Sequence, residues 1–290
     1  MVFAIFLFIF GLCKITIKNT NQTGFSKRYM SIITLTTDLG IKDHYIAIVK
    51  GEIYKQIADI NIVDISNEIS KFDIQEAAFV FKNSFQHFPD GTVHIIGVND
   101  ELTNETQHIA IEINNQFVIG ADNGIFSLIF DKTFPNKIVQ LNIPLDSNVL
   151  TFAIKDIFIK AACHLVRGGT LEMIGTPLSD FQQKAASLQA VTNRDSIRGV
   201  VMHIDSYGNA TTNINKDTFN RIGMNREFDI LYGRESERIT KIRDKYKEVP
   251  AGEKLAIFST NGYLEIAMNQ GKANELLGLH HYDIIRIEFK

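Results

Sequence analysis

The sequence predicts an α/β N-terminal domain with a mostly parallel sheet, plus a small antiparallel β-barrel C-terminal domain. Three observations lead there. From Ile32 to Val98, short β-branched runs alternate with amphipathic stretches of helix length. From Gly199 to Phe289, strand-like runs are separated by turns with almost no helical spacing between them. Between the two lies a polar stretch, Pro177 to Arg198, that holds Gln182-Gln183-Lys184, Thr192-Asn193 and Arg194-Asp195.

The elements follow in order. Ile32 to Thr36 reads as a strand, Tyr45 to Ile57 as a helix, Ile60 to Ile65 as a strand, Ile74 to Phe85 as a helix and Val93 to Val98 as a strand. Apolar strands that each run into a helix are the mark of a parallel sheet covered on both faces. Ile109 to Ile113 and Phe117 to Ile119 add strands, and a helix from Lys155 to Val166 stops at Gly168-Gly169. The second domain offers Gly199 to Ile204, Phe228 to Tyr232, Leu255 to Ser259 and Asp283 to Phe289 as strands, with one short helix at Asn274 to Leu277. A barrel is the economical closure for such a set. The boundaries expected are an N-terminal extension over 1–29, domains over 30–180 and 199–290, and a linker over 181–198. Arg234 to Lys247 is dense in charge and reads as a solvated face.

Composition narrows the function. The chain is 45% hydrophobic and 22% charged, as ordinary globular proteins are. A net charge of -3 leaves no basic face for nucleic acid, so the expected partner is a small molecule. Cys13 and Cys163 have no metal-ligand spacing and form no disulfide framework, which fits a cytoplasmic protein. Val2 to Cys13 is an apolar run too short to span a bilayer, with its positive charges after the run instead of before it. It reads as an upstream extension outside the fold; the rival reading is a short anchor, and membrane contact is expected only in that case. The histidines show no metal-binding spacing, no phosphate loop is present, and His94 and His203 read as structural groups inside apolar strands.

The first strand ends in Thr36-Thr37-Asp38-Leu39-Gly40. The carboxyl ends of parallel strands face a ligand crevice, where an aspartate can accept hydrogen bonds from two ribose hydroxyls. The same pattern also makes a helix cap or a turn. Further groups follow: Ile62-Val63-Asp64-Ile65, Ile74-Gln75-Glu76-Ala77-Ala78, Phe88-Pro89-Asp90-Gly91-Thr92-Val93-His94, Ala121-Asp122-Asn123-Gly124, Ile204-Asp205-Ser206-Tyr207-Gly208-Asn209, Thr212-Asn213-Ile214 and Asn261-Gly262-Tyr263-Leu264-Glu265-Ile266-Ala267. Read alone, Asp122-Asn123-Gly124 is a hairpin signal, Tyr207-Gly208-Asn209 a turn, and Glu265 an edge carboxylate.

Taken in order from Met30 to Lys290, these motifs resemble the SAM hydroxide adenosyltransferase family, which also includes halogenases. The resemblance implies a homotrimer that binds S-adenosylmethionine (SAM) or adenosine between the N-terminal domain of one subunit and the C-terminal domain of the next. It needs no cofactor beyond SAM itself as substrate or ligand. By the same resemblance Asp38 holds the ribose hydroxyls, Asp205 meets the methionine amino group, Asn209 contacts adenine and Tyr207 packs beside the ligand. Thr260 and Asn261 fall where the family binds the methionine carboxylate, without a halogenase-type arginine.

The family's hydrolases resemble one another in positioning water with Asp, Arg and His. Here those positions read Asn99, Thr106 and Ala153, and the residue near a halide in the halogenases reads Ile154. Asparagine takes no proton near neutral pH, and alanine makes no side-chain hydrogen bond. A shift of one residue puts Asp100 in the water site, and His108 supplies an imidazole if the loop after Leu102 folds back. The catalytic group therefore stays unassigned. Slow hydrolysis of SAM to adenosine and methionine, a catalytically silent sensor or scaffold, and adenosyl transfer to a nucleophile that needs no deprotonation all remain open.

Overall fold

The computed structural model describes residues 31–130, 135–144, 152–184, 189–233 and 238–290. The expected extension over 1–29 and part of the charged stretch from Arg234 to Lys247 lie outside the described residues.

The first domain runs β1 (Ile32–Thr37), α1 (Tyr45–Gln56), β2 (Asn61–Ser66), α2 (Ile74–Lys82), β3 (Val93–Gly97), β4 (His108–Ile113), β5 (Gln116–Ala121), α3 (Ile125–Ile129), β6 (Lys137–Leu141), α4 (Ile159–Val166) and β7 (Gly175–Pro177). Its seven strands stand in the order β2-β1-β3-β5-β4-β6-β7. β2, β1, β3 and β5 pair in parallel, whereas β4, β6 and β7 add an antiparallel side. Every residue of β1 and β3 is buried, because helices cover both faces. On one face α1 lays Val49 and Ile53, one turn apart, against Ile33, Leu35, Val93 and Ile95, together with α4. On the other, α2 buries Ile74, Ala77, Ala78 and Phe81 at helical spacing, with α3 beside it.

Asp73 caps α2, accepting from Gln75 N at 2.9 Å and Glu76 N at 3.0 Å. The expected helix over Ile74 to Phe85 ends at Lys82 and passes into a 3-10 turn at Phe85–His87. The expected helix from Lys155 to Val166 opens as a π-turn over Ile154–Phe158 before α4. His94 is structural, as its strand setting suggested. Its Nδ1 lies 2.7 Å from Thr34 Oγ1 and its Nε2 3.2 Å from Gln116 Oε1, and burial lowers its pKa to about 4.

The second domain runs β8 (Val191–Thr192), β9 (Ser196–Ile204), β10 (Ala210–Asn215), α5 (Lys216–Gly223), β11 (Phe228–Leu231), β12 (Arg238–Ile239), β13 (Ile242–Arg243), β14 (Lys254–Phe258), β15 (Tyr263–Met268), α6 (Ala273–Leu277) and β16 (Ile284–Phe289). β9 begins at Ser196, within the polar segment. The sheet runs β12-β11-β16-β9-β10-β15-β14-β13, with β8 on β9. Its two ends, β12 and β13, are separated only by Thr240 and Lys241, so the sheet must curl until its edges meet. The barrel interior is filled by Ile197, Val201, Ile214, Leu264, Ile266, Ile285 and Ile287. One expectation fails: α5 is a second helix in this domain, nucleated by Asn215, whose Oδ1 accepts from Thr218 N at 2.7 Å.

Side-chain contacts join the domains along α2. Tyr282 donates its hydroxyl to Asp73 Oδ2 at 2.9 Å, His203 Nδ1 lies 3.5 Å from Glu76 Oε1, and the Phe79 and His203 rings lie 5.3 Å apart. His203 thus faces the interdomain joint instead of the barrel core. Burial alone would push the Glu76 carboxyl up; hydrogen bonds from His203 and Ser70, with His281 nearby, outweigh it and bring it to about 2.

Candidate functional site

β1 and β3 are neighbours, and Asp38 N donates to Gly97 O at 3.3 Å, so Asp38 sits where both strands end. The chain from 70 to 72 wraps over it. Phe72 N donates to Asp38 Oδ2 at 2.9 Å, and Lys71 Nζ donates to the Asp38 carbonyl. Phe72 has φ 63°, a conformation that costs a bulky residue of order 1–3 kcal/mol, and its ring is exposed. The backbone is strained so that its amide reaches Asp38. Asp38 Oδ1 has no partner among the described residues.

The segment after β3 turns sharply at Asn99, with φ 48°, which asparagine tolerates. Asn123 Nδ2 pins this turn by donating to Val98 O at 3.1 Å and Asn99 O at 2.9 Å. Asp122-Asn123-Gly124 is therefore not a hairpin turn. It joins β5 to α3, with Gly124 at φ 93° capping the helix, and its asparagine serves a loop 24 residues away. Downstream of Asn99, Asp100 turns its carboxyl back over the strand end. A Cβ placed on Gly97 would lie 3.6 Å from Asp100 Oδ2 and would collide with Ile154 Cδ1. Gly97 thus makes the room that Ile154 fills.

Asp100 Oδ2 is sealed from solvent and has no hydrogen-bond partner. Burial first, and the negative charge of Asp38 second, raise the Asp100 pKa to about 6. His108 comes to the same place: its Nε2 lies 2.9 Å from the Asp100 carbonyl, which fixes Nε2 as the donor. Its ring stands edge-on to Phe158 at 4.8 Å, and burial lowers its pKa, so it is neutral. The loop after Leu102 therefore brings an imidazole to the backbone of Asp100. Ala153 and Ile154, 4% and 1% exposed, belong to one apolar core wall, and Ile154 brings it against Gly97 at the end of β3. Thr106 is held in a turn, its N donating to Thr103 Oγ1 at 3.0 Å.

The second half of the site is the β9–β10 turn. Asp205 Oδ1 accepts from Tyr207 N at 2.9 Å and Asn209 N at 2.8 Å, and Oδ2 accepts from Asn209 Nδ2 at 3.0 Å. Gly208, at φ 81°, permits the bend. The motif is a turn, as its residues suggest, and it also lines a cavity of about 630 Å³ with Tyr246, Met268 and Lys272. Tyr207 leaves its ring 76% exposed at the cavity mouth.

Sequence reasoning did not single out Tyr246 for this site. Its hydroxyl donates to Glu265 Oε1 at 2.7 Å. Burial pushes the Glu265 carboxyl up, Tyr246 pulls it down, and Asp205 raises it again. Glu265 is thus a buried partner of the cavity wall, not an edge carboxylate. Thr260 and Asn261 lie in the β14–β15 turn, where Asn261 Oδ1 accepts from Ser259 Oγ at 2.6 Å and Tyr263 N at 3.1 Å, outside the residues that line the cavity. Among the described residues no group of three His, Cys, Asp or Glu is placed to hold a metal, and no helix is long and apolar enough to cross a membrane.

Comparison with known families matches residues 33–175 to the SAM hydroxide adenosyltransferase N-terminal domain and 199–286 to its C-terminal domain. The chain belongs to the SAM hydroxide adenosyltransferase family. It is 28% identical over 271 residues to an (R)-S-adenosyl-L-methionine hydrolase of Methanocaldococcus jannaschii, spanning 89% of this chain and 96% of that one. A Thermus thermophilus protein of the same name is 26% identical, across 86% of this chain and 96% of its own length. A Nocardia brasiliensis fluorinase is also 26% identical, over 82% and 90% respectively. Among solved structures, an uncharacterised conserved protein from Thermotoga maritima superposes with a TM-score of 0.79 at 27% identity, covering 88% of this chain and 99% of that one. Membership in the family accounts for the order of the two domains.

Proposed function

We propose that this chain binds SAM between the strand-end crevice of one subunit and the β9–β10 turn of a neighbour in a cytoplasmic homotrimer, and slowly transfers the adenosyl group to water. The observation that carries the reading is Asp38: at the carboxyl end of β1, within a chain matched along both domains to SAM-hydrolase relatives, it keeps a carboxylate oxygen without a partner. That oxygen suits a ribose hydroxyl. In the other half, the carboxylate of Asp205 faces a cationic methionine amino group, with Glu265 buried behind Tyr246, Asn209 offers its amide to adenine, and exposed Tyr207 supplies a ring to pack on it. Displacement at C5′ is helped by the sulfonium, since methionine departs as a neutral thioether. Halide transfer is disfavoured by Ile154, an apolar side chain where a small hydroxyl is wanted.

The apolar wall of Ala153 and Ile154 also favours a second reading, a SAM- or adenosine-binding module without turnover. Titration calorimetry with SAM and adenosine, followed by chromatography after prolonged incubation, separates the two. Adenosine formed from SAM supports hydrolysis, a new 5′-adduct supports transfer to another nucleophile, and intact SAM with measurable binding supports the module. No heat with any ligand overturns both. Light scattering near three chain masses is the assembly expected.

A further inference from the structure

Hydrolysis needs a group to take a proton from the attacking water, and Asn99, Thr106 and Ala153 cannot. We propose that Asp100, one residue beyond the position where the family carries its aspartate, is the general base of this chain, held in place through its own backbone by His108. The proposal rests on the reading that SAM is the ligand.

Geometry supports it in four ways. The left-handed turn at Asn99, pinned by Asn123, sends the next side chain back over the end of β3. Oδ2 of that side chain is buried with no donor, so its acceptor capacity is unmet and is free for a water admitted when the site opens to ligand. The same carboxyl feels the charge of Asp38, which places it beside the residue assigned to the ribose. His108, whose Nε2 donates to the Asp100 carbonyl, fixes the peptide that carries the carboxyl.

The charged and titratable groups around Asp100 are few. Asp38 comes from β1, neutral His108 from β4, and Glu101 and Glu105 from its own loop, both exposed. The π-turn presents Ile154, while Lys155 on that turn is bonded to Asp156 at 2.9 Å. A carboxyl with a pKa of about 6 is mostly ionised at neutral pH and more basic than an ordinary aspartate, as a general base should be.

In the step, the Asp100 carboxylate takes one proton of a water molecule as the water oxygen bonds to C5′ of the ribose. The C5′–S bond breaks and its electron pair stays on sulfur. The products are adenosine and neutral methionine thioether, and Asp100 then passes its proton to solvent.

The test compares the full-length parent with Asp100→Asn, which keeps the shape of the side chain. Positive SAM favours the ionised carboxyl, so at pH 6 the parent releases up to about half a proton on binding SAM, read from binding heats in two buffers of different ionisation enthalpy. Neutral adenosine releases less, and Asp100→Asn loses this release. In the parent, kcat/KM for adenosine formation rises with pH through about 6 and levels off, and Asp100→Asn lowers it by roughly a hundredfold to ten-thousandfold while SAM still binds. His108→Ala, as loss of a positioning residue, lowers kcat less and leaves the proton release in place.

Equal turnover by Asp100→Asn, or a parent kcat/KM flat across pH 5 to 7, overturns the assignment. Binding without turnover in the parent overturns it too while leaving SAM binding intact. Absence of SAM binding in the parent overturns instead the reading on which it rests. If Asp100→Asn does not fold, Asp100→Ser, which also lacks a base, gives the same comparison.

Discussion

Asp205 in the β9–β10 turn accepts from two backbone amides and from Asn209 Nδ2, so three of its roughly four acceptor positions are engaged before any ligand arrives. Asp100 at the end of β3 buries Oδ2 against no donor, and burial with Asp38 nearby lifts its pKa to about 6. One aspartate builds its half of the site; the other is carried by its half at a cost. An unmet buried acceptor costs about 1–3 kcal/mol, which a fold keeps only where other contacts hold it in place, as the turn at Asn99 and its Asn123 clamp do here. The comparison teaches that the barrel half is preorganised for recognition, whereas the chemistry is to be sought at the strand ends.

The sharpest way to break this comparison is Asp205→Ala. It removes three hydrogen bonds from one turn, and we expect a stability loss on the order of 3 kcal/mol in denaturant melts together with loss of SAM binding. Intact stability would mean the turn holds itself. Asp38→Ala should act on the ligand instead, weakening SAM and adenosine by about 1.5–3 kcal/mol in titration calorimetry while the melting temperature moves little, since among the described residues the Asp38 carboxylate accepts only the Phe72 amide and the Lys71 ammonium reaches its carbonyl. Equal affinity in parent and variant would remove Asp38 from the site.

A smaller and opposite effect is expected from Asp100→Asn on stability. The native carboxyl titrates at about 6 and the unfolded one near its ordinary value of 3.8, so well below pH 4 both are neutral and no penalty exists. Between pH 4 and 6 the unfolded state ionises first and folding loses ground; above pH 6 the full penalty stays. Asp100→Asn should therefore be more stable than the parent by on the order of 1 to 3 kcal/mol at pH 7, with the gain gone by about pH 3. A variant less stable at pH 7 would show that the carboxylate is satisfied after all.

Much of the strand-end half was legible in the sequence and much of the barrel half was not, for identifiable reasons. Apolar runs such as Ile32 to Thr36 announce buried parallel strands, and the ends of such strands point to a crevice, so Asp38 could be placed before any coordinates. The barrel's partners are not local: Tyr246 meets Glu265 across 19 residues, and nothing in a charged stretch tells which side chain turns inward. Asn123-Gly124 obeys a local hairpin rule that a tertiary contact to Val98 and Asn99 overrides. Asp100 was visible only as an alternative, because a register of one residue in a loop cannot be fixed by spacing; the left-handed backbone at Asn99 shows only in the structure how the next side chain turns.

The least effect, and the most telling about register, is expected from Asn99→Asp, which puts an aspartate where the family resemblance implies one. If Asn99 were a disabled base, the substitution would raise turnover. If Asp100 already serves, a second carboxylate one residue away adds a like charge and makes Asp100 harder to ionise. The acid limb of the rate profile then moves to higher pH, with a loss of less than about threefold at pH 6 that disappears by pH 8. The left-handed turn itself should survive, since aspartate tolerates φ near 48° almost as well as asparagine and the clamp from Asn123 uses backbone carbonyls only. Adenosine formation measured from pH 5 to 8 in parent and variant decides between the two positions: a rise in the plateau assigns the base to residue 99, and a shifted limb with an unchanged plateau keeps it at Asp100.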